Sequence, residues 1–429
     1  MEEVPGYSNK HTNQIVMKSI YVFFLLLLSA GVQAQWTQKA NFPGGARTKA
    51  ATFTIGDKIY LVGGIDNSGA TRKDVWQYNM TTNTWSHKND FPGQERYGAV
   101  AFVINGFGFI STGGNDFGFL DDIWEYDETN DNWIQRPGLP SLSPQHENQR
   151  REAFAFVIGG KVYLGGGDGW VFGANQTWNY AFFDLWEFDP TNNNWIQKAS
   201  IPDNLGRDFA IAATINGKGY VGLGNDVDQT INRQSFWEYD PATDVWTQKA
   251  DFPATFTTDA ASFVMDSTLY VTGGVDLTPV TLSNQVYRYD PSTDSWSSLT
   301  AFSGGAIAGH CAGSNGNRAF VLTGYRSNLA LRNDVWEYTP STTSTNDLAD
   351  ASAVQVFPNP ATTSLHIKMK NNSSEMYFDL YDALGNKVVN QRLTNSESQI
   401  DIAKLPSGIY HYTLYSRGND QSNGRIVKE

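Results

Sequence analysis

Arginine and aspartate carry most of the chemistry this sequence could do, and they recur. Arg47, Arg96, Arg151 and Arg207 follow one another at intervals of 49 to 56 residues, trailed by Asp66, Asp116, Asp168, Asp226 and Asp276. A guanidinium beside a carboxylate has two uses. It can fork onto a ligand's carboxylate or hydroxyl groups, or it can bridge to the aspartate and stiffen a loop. The pattern breaks on one side: Thr257 or Thr258 stands where a fifth arginine is expected, leaving Asp276 without its partner. The next repeat has Ile307 in the arginine slot and Arg326 in the aspartate slot. A second candidate group is aromatic. Trp170, Phe172, Trp178 and Tyr180 lie in a Gly- and Asn-rich stretch, where they can stack on a sugar ring or a peptide, or fold down as a hydrophobic cap. Histidines are scattered (His87, His146 and His310 in this region), and the single cysteine, Cys311, excludes an intramolecular disulfide and a Cys-rich metal site. No nucleophile elbow, phosphate loop or His-x-x-x-His pair is present. The expectation is a binding rim with no catalytic set, no metal and no cofactor.

The elements that must hold these residues are short strands. The 429 residues include 40 Gly, 13 Trp, 20 Tyr and 25 Phe, a composition suited to many strands joined by turns. Tryptophans at 36, 85, 133, 195, 246 and 296 are spaced 49, 48, 62, 51 and 50 residues apart, and three open one phrase: Trp36 to Pro43, Trp85 to Pro92 and Trp246 to Pro253. Between them come strands ending in paired glycines (Gly63-Gly64, Gly113-Gly114, Gly165-Gly166, Gly273-Gly274). An aromatic strand follows each, as in Val75-Trp76-Gln77-Tyr78 and Ile123-Trp124-Glu125-Tyr126. A fixed period of about fifty residues means a repeat architecture.

Residues 36 to about 340 resemble the kelch-repeat family, whose unit is one four-stranded propeller blade. The resemblance implies an all-β, six-bladed β-propeller of the galactose oxidase central-domain kind. The last repeat ends without its tryptophan strand, and an orphan copy of that strand stands at Trp36 to Phe42, so the N-terminal strand is expected to close the ring. Antiparallel pairing puts the arginines and aspartates at one mouth of that ring. The long third repeat adds two insertions there, Pro137 to Arg150 and Gly167 to Phe183. The copper, two histidines and cysteine-crosslinked tyrosine of galactose oxidase find no counterpart. Bacterial sialic-acid mutarotases, which share the six-bladed plan, imply a rival reading with rim arginines and an acid such as Glu152.

The ends carry addresses. An apolar run from Ile20 to Ala30, preceded by Lys18 and followed by Val32-Gln33-Ala34, reads as a secretory signal over 1–34, with Met17 as an alternative start. Residues 35–340 are the propeller and 341–353 a Ser/Thr-rich linker. Residues 354–429 bring Val356-Phe-Pro-Asn-Pro360, Leu380-Tyr-Asp-Ala-Leu-Gly-Asn-Lys387 and Leu405-Pro-Ser-Gly-Ile-Tyr410, the alternation of a small β-sandwich. They resemble the type A sorting domain of the type IX secretion system of Bacteroidetes. That implies passage through the secretion machinery to the cell surface or medium, with no transmembrane anchor after signal removal.

Charge narrows the partners. The chain carries 31 basic and 44 acidic residues, a net −13, concentrated in the propeller region. Nucleic acid is excluded as a general partner, because phosphate binding draws on a basic surface. The sequence thus predicts an exported propeller that binds a glycan or protein at its loop-rich mouth. The alternatives are a mutarotase-like enzyme and a purely architectural surface protein.

Overall fold

The computed structural model describes residues 35–340 except 142–147, 173–176, 203–205 and 227–230. It also describes 354–428 except 359, 370–375, 383–386, 394, 396 and 417–418. The expected signal segment and linker lie outside the described residues.

Residues 35–340 form six four-stranded antiparallel sheets. The first runs Ala51–Ile55, Lys58–Val62, Val75–Asn79 and Thr84–Lys88 from the central axis outward. Five further innermost strands, Val100–Ile104, Phe154–Ile158, Ile211–Ile215, Ala261–Met265 and Cys311–Ser314, open blades two to six. The expected closure is present. Gln35–Gln38 is the outer strand of blade six, with Trp36 opposite Tyr338 and Gln38 opposite Trp336. Trp36 is buried against Phe302 and Tyr338.

The glycines explain how blades join. Gly64, Gly113, Gly167, Gly224, Gly274 and Gly324 each donate a backbone hydrogen bond to the next blade, onto the carbonyls of Arg96, Arg150, Arg207, Thr257, Ile307 and Arg47. All six bonds measure 2.8–2.9 Å, and the last returns to blade one. A Cβ on Gly64 would meet the Thr48 carbonyl oxygen at 2.7 Å, and its φ of +92° suits only glycine. Aromatic cores fill the spaces between blades. Phe53, Tyr60, Phe91, Tyr126 and Trp133 form one of them.

Which mouth can carry a site follows from turn length. On one face, hairpins close through two residues with positive φ, as at Asn105-Gly106, Gly159-Gly160 and Asn216-Gly217, the geometry of tight primed turns. The longer connections, between second and third strands and between blades, all emerge at the other mouth. One was expected to be a loop. Asp168–Phe172 and Thr177–Ala181 instead pair as a hairpin, with Arg150–Arg151 as its third strand. Polar and apolar residues alternate from Thr177 to Tyr180, and that period belongs to a strand.

Residues 354–428 fold into a three-stranded and a four-stranded sheet. Leu365, Ile367, Phe378, Leu380, Ile400 and Leu414 are among the residues of their shared core. Every residue of that core belongs to this segment.

Candidate functional site

Before entering its innermost strand, each blade passes through one residue in the left-handed region: Lys49, Gly98, Glu152, Phe209, Asp259 and Gly309, with φ between +51° and +59°. This shared kink turns their amides toward the neighbouring blade. Gly98 donates to Lys49, Glu152 to Gly98, Phe209 to Glu152, Gly309 to Asp259 and Lys49 to Gly309, at 2.7–3.2 Å. The result is a girdle around the axis. With the residues that follow them, Ala50, Ala99, Ala153, Ala210, Ala260 and His310, these six line a cavity of about 110 Å³ at the mouth.

Its floor is charged. Lys49 Nζ lies 3.2 Å from Glu152 Oε1 and 3.8 Å from Asp259 Oδ1, and 4.2 Å from the centre of the Phe209 ring. Burial alone would pull Lys49 down, but Asp259 and Glu152 hold it above the ordinary lysine range. Burial raises Glu152, Lys49 works against this, and Asp259 and Asp168 push it further up. Asp208, beside the floor, is raised to about 8 by burial and by the charges of Asp168 and Glu152. His310 also faces the cavity. Burial, helped by Arg332, lowers it to about 3, so it is neutral and accepts or donates only through Thr272 Oγ1 at 2.7 Å from Nε2. Burial pushes the Cys311 thiol up to about 11, which leaves it unreactive at neutral pH.

An aromatic cluster stands at the same mouth, around the residue that precedes Glu152. Arg151 bonds Asp168 at 3.1 Å, touches the Tyr97 hydroxyl and lies 5.0 Å from the Phe119 ring centre, and Trp170 packs on Phe119 at 4.7 Å.

The expected arginine rim is corrected in three blades. Arg47, Arg96 and Arg207 are not at the rim; they are buried inside their blades, 1%, 1% and 0% exposed. Nor do the expected aspartates hold them. Arg47 lies opposite Asp66 in backbone register, yet its guanidinium reaches Asp74 at 2.6 Å, while Asp66 takes Arg72 at 2.7 Å. Arg96 bonds Asp122 in the same way. Each of these acids also accepts the indole N–H of the tryptophan two residues on, Trp76 or Trp124. In blade three the residue in this latch is Arg150, on Asp184 at 2.7 Å, and Arg151 is displaced to the mouth. Arg207 binds the Leu223 carbonyl and Ser235.

The broken side is repaired locally. Asp276 is not without a partner, since Asn232, Thr255 and the Thr278 amide all bond it. In blade six Arg332 supplies the guanidinium that Ile307 lacks, bonding Asp334 and the Gly304 carbonyl. Arg326 is exposed on a loop tip away from the floor. Tyr180 packs edge-on against Phe182, 5.1 Å away, and Phe182 in turn underlies Arg150, so Tyr180 covers a latch. Phe172 and Trp178 lie in the hairpin, opposite Thr177 and Val171. His146 and Glu147 fall outside the described residues.

Lys49, Asp208 and Asp259 were missed by sequence reasoning because nothing in their types repeats. Only their position, one or two residues after the arginine slot, marks them.

The Kelch-repeats domain model described as KLHDC2/KLHL20/DRC7 matches residues 6–167 and 49–258, together more than half of the chain. The model of the secretion system C-terminal sorting domain matches 355–429, and that of N-acetylneuraminate epimerase matches 200–351. N-acetylneuraminate epimerase of Shigella sonnei (strain Ss046) is 27% identical over 205 residues, covering 41% of this chain and 56% of that protein. Kelch-like protein 35 of Mus musculus is 27% identical over 252 residues, 56% of this chain and 37% of its own. The matched region thus spans little more than half the length of such relatives, or less. A solved structure titled "Structure of YjhT" superposes with a TM-score of 0.58 at 15% identity, covering 71% of this chain and 98% of that one, a likeness of fold. By its repeats, its closed ring of blades and these matches, the chain belongs to the kelch-repeat family, and it carries a secretion-system C-terminal sorting domain.

Proposed function

We propose that this exported propeller binds a glycan in the cup at its loop-rich mouth. The observation that supports this best is a charged, hydrogen-bonding floor (Lys49, Glu152, Asp259) with an aromatic pair, Phe119 and Trp170, packed together at the same mouth. Sugars present hydroxyls around their edge and C–H groups on their faces, and such a cup answers both. The ligand is not read as a sugar acid. Arg47, Arg96 and Arg207 are spent inside the blades, and Arg151 is already bonded to Asp168.

Calorimetric titration of the exported protein with a panel of neutral sugars tests this. Trp170→Ala should weaken any sugar found by a factor of about 5 to 10, consistent with loss of one stacking contact of about 1 kcal/mol. Unchanged affinity in Trp170→Ala would remove the aromatic pair from the site.

A second reading, sugar epimerisation at the same floor, is favoured by two neighbouring acids, Glu152, raised by burial, and Asp208, raised to about 8. The epimerase model also matches the half of the propeller holding Asp208 and Asp259. NMR exchange between anomers of a bound sugar decides between the readings. Accelerated exchange, abolished in Glu152→Gln, supports the enzyme; binding without exchange supports the module.

A further inference from the structure

Among the described residues, three buried oxygens beside the cavity have no hydrogen-bond partner: Asp208 Oδ1, Asn225 Oδ1 and Thr258 Oγ1, on residues 2%, 0% and 4% exposed. They form one arc. Asp208 and Asn225 are direct cross-strand partners in blade four, each donating its backbone N–H to the other's carbonyl, so their side chains share a face. The corresponding pair in blade three is Arg151 and Asp168.

Neighbouring blades continue the sequence. A Cβ built on Gly114, the second pair member in blade two, falls 3.3 Å from Arg151 Cδ, the first member in blade three. By the same geometry Asp208 follows Asp168, and Thr258 follows Asn225. The next residues along the chain, Phe209 and Asp259, line the cavity, which sets Asp208 and Thr258 directly behind its lining, with Asn225 paired to Asp208.

All three atoms can accept, and no donor among the described residues reaches them. The Asn225 amide nitrogen is occupied by the Asp226 carbonyl at 3.0 Å. Buried acceptors left without donors are costly, so three in one arc suit a ligand rich in N–H. The local field selects its sign. Among the girdle residues and these pairs, Glu152, Asp168 and Asp259 oppose only Lys49 and Arg151, and a cation bound beside Asp208 would favour its ionised form as well. No group of three or more His, Cys, Asp or Glu among the described residues is placed for a metal ion. A primary ammonium has three donors and one positive charge. The chain itself sets one such group, the Lys49 ammonium, against Glu152 and Asp259 at the same mouth.

We propose that Asp208, Asn225 and Thr258 form a subsite for a primary ammonium, and that the glycan taken at this mouth is an amino sugar. This rests on the glycan reading. The test is titration of the full exported chain with glucosamine, glucose and N-acetylglucosamine, on the wild type, Asp208→Asn and Thr258→Val. Glucosamine should bind at least tenfold more tightly than glucose, and capping the amine in N-acetylglucosamine should remove the advantage. Asp208→Asn should abolish the preference of glucosamine over glucose. Thr258→Val, which keeps the side chain's shape, should reduce it and serves if Asp208→Asn does not fold. Equal affinity for the three sugars overturns the subsite and leaves the glycan reading standing. A preference that survives both variants assigns the amine to Glu152 and Asp259 and also overturns it. No binding of any sugar removes both.

Discussion

Arg150 and Arg151 are adjacent in sequence and differ completely in environment. Arg150 is fully buried and forks onto Asp184, which also accepts the Trp186 indole N–H at 2.8 Å. Arg150→Ala should therefore leave a buried carboxylate uncompensated and cost about 3–5 kcal/mol, seen as a marked drop in melting temperature. A melting temperature within a degree or two of the wild type would mean that the latch adds little. Asp208 gives a second prediction at this scale. Its folded-state pKa of about 8 lies far above the ordinary aspartate value, so the folded form keeps a proton that the unfolded chain releases. The stability this provides is complete below the unfolded pKa and is lost as pH rises toward 8. Asp208→Asn should flatten the fall in melting temperature between pH 5 and pH 8. Parallel slopes for variant and wild type would show that Asp208 is ionised in the fold.

At the scale of elements, most of the blade plan could be read from the sequence because it repeats. Six copies of the aromatic strand outvote any local ambiguity, and the orphan Trp36 phrase marked the closing strand. The site was far less readable. Three consecutive glycines, Gly165 to Gly167, and two consecutive arginines leave the register of blade three uncertain by one residue, and one residue turns a side chain from blade interior to mouth. The latch acids Asp74, Asp122 and Asp184 sit in front of the aromatic strand, whereas antiparallel register alone points to Asp66. The guanidinium reaches past its backbone partner, a choice that sequence spacing does not encode. Closure itself is open to test. Deleting residues 35–42 removes the outer strand of blade six and the Trp36 contacts with Phe302 and Tyr338. The exposed Val335–Thr339 edge should then drive association or early melting, read by light scattering and by thermal denaturation. A monodisperse variant with an unshifted melt would show that the ring holds without its closing strand.

Across the whole molecule, a kelch propeller and a sorting domain each pack a core of their own. The sandwich core draws only on residues between 361 and 426, and the propeller's six sheets and inter-blade bonds close on themselves within 35–339. Neither unit needs the other to bury its apolar surface, so removing one should leave the other's stability intact. The acidic balance is equally divided, since nearly all of the net −13 lies on the propeller side. Deleting 354–429 should therefore leave the propeller folded, with its melting temperature unchanged, but trap it in the periplasm. Fractionation of cells expressing the full and the truncated chain measures the outcome, and circular dichroism of the retained product separates failure of export from failure to fold. A truncated propeller that reaches the surface or medium at the full chain's level would mean that its address lies in the blades.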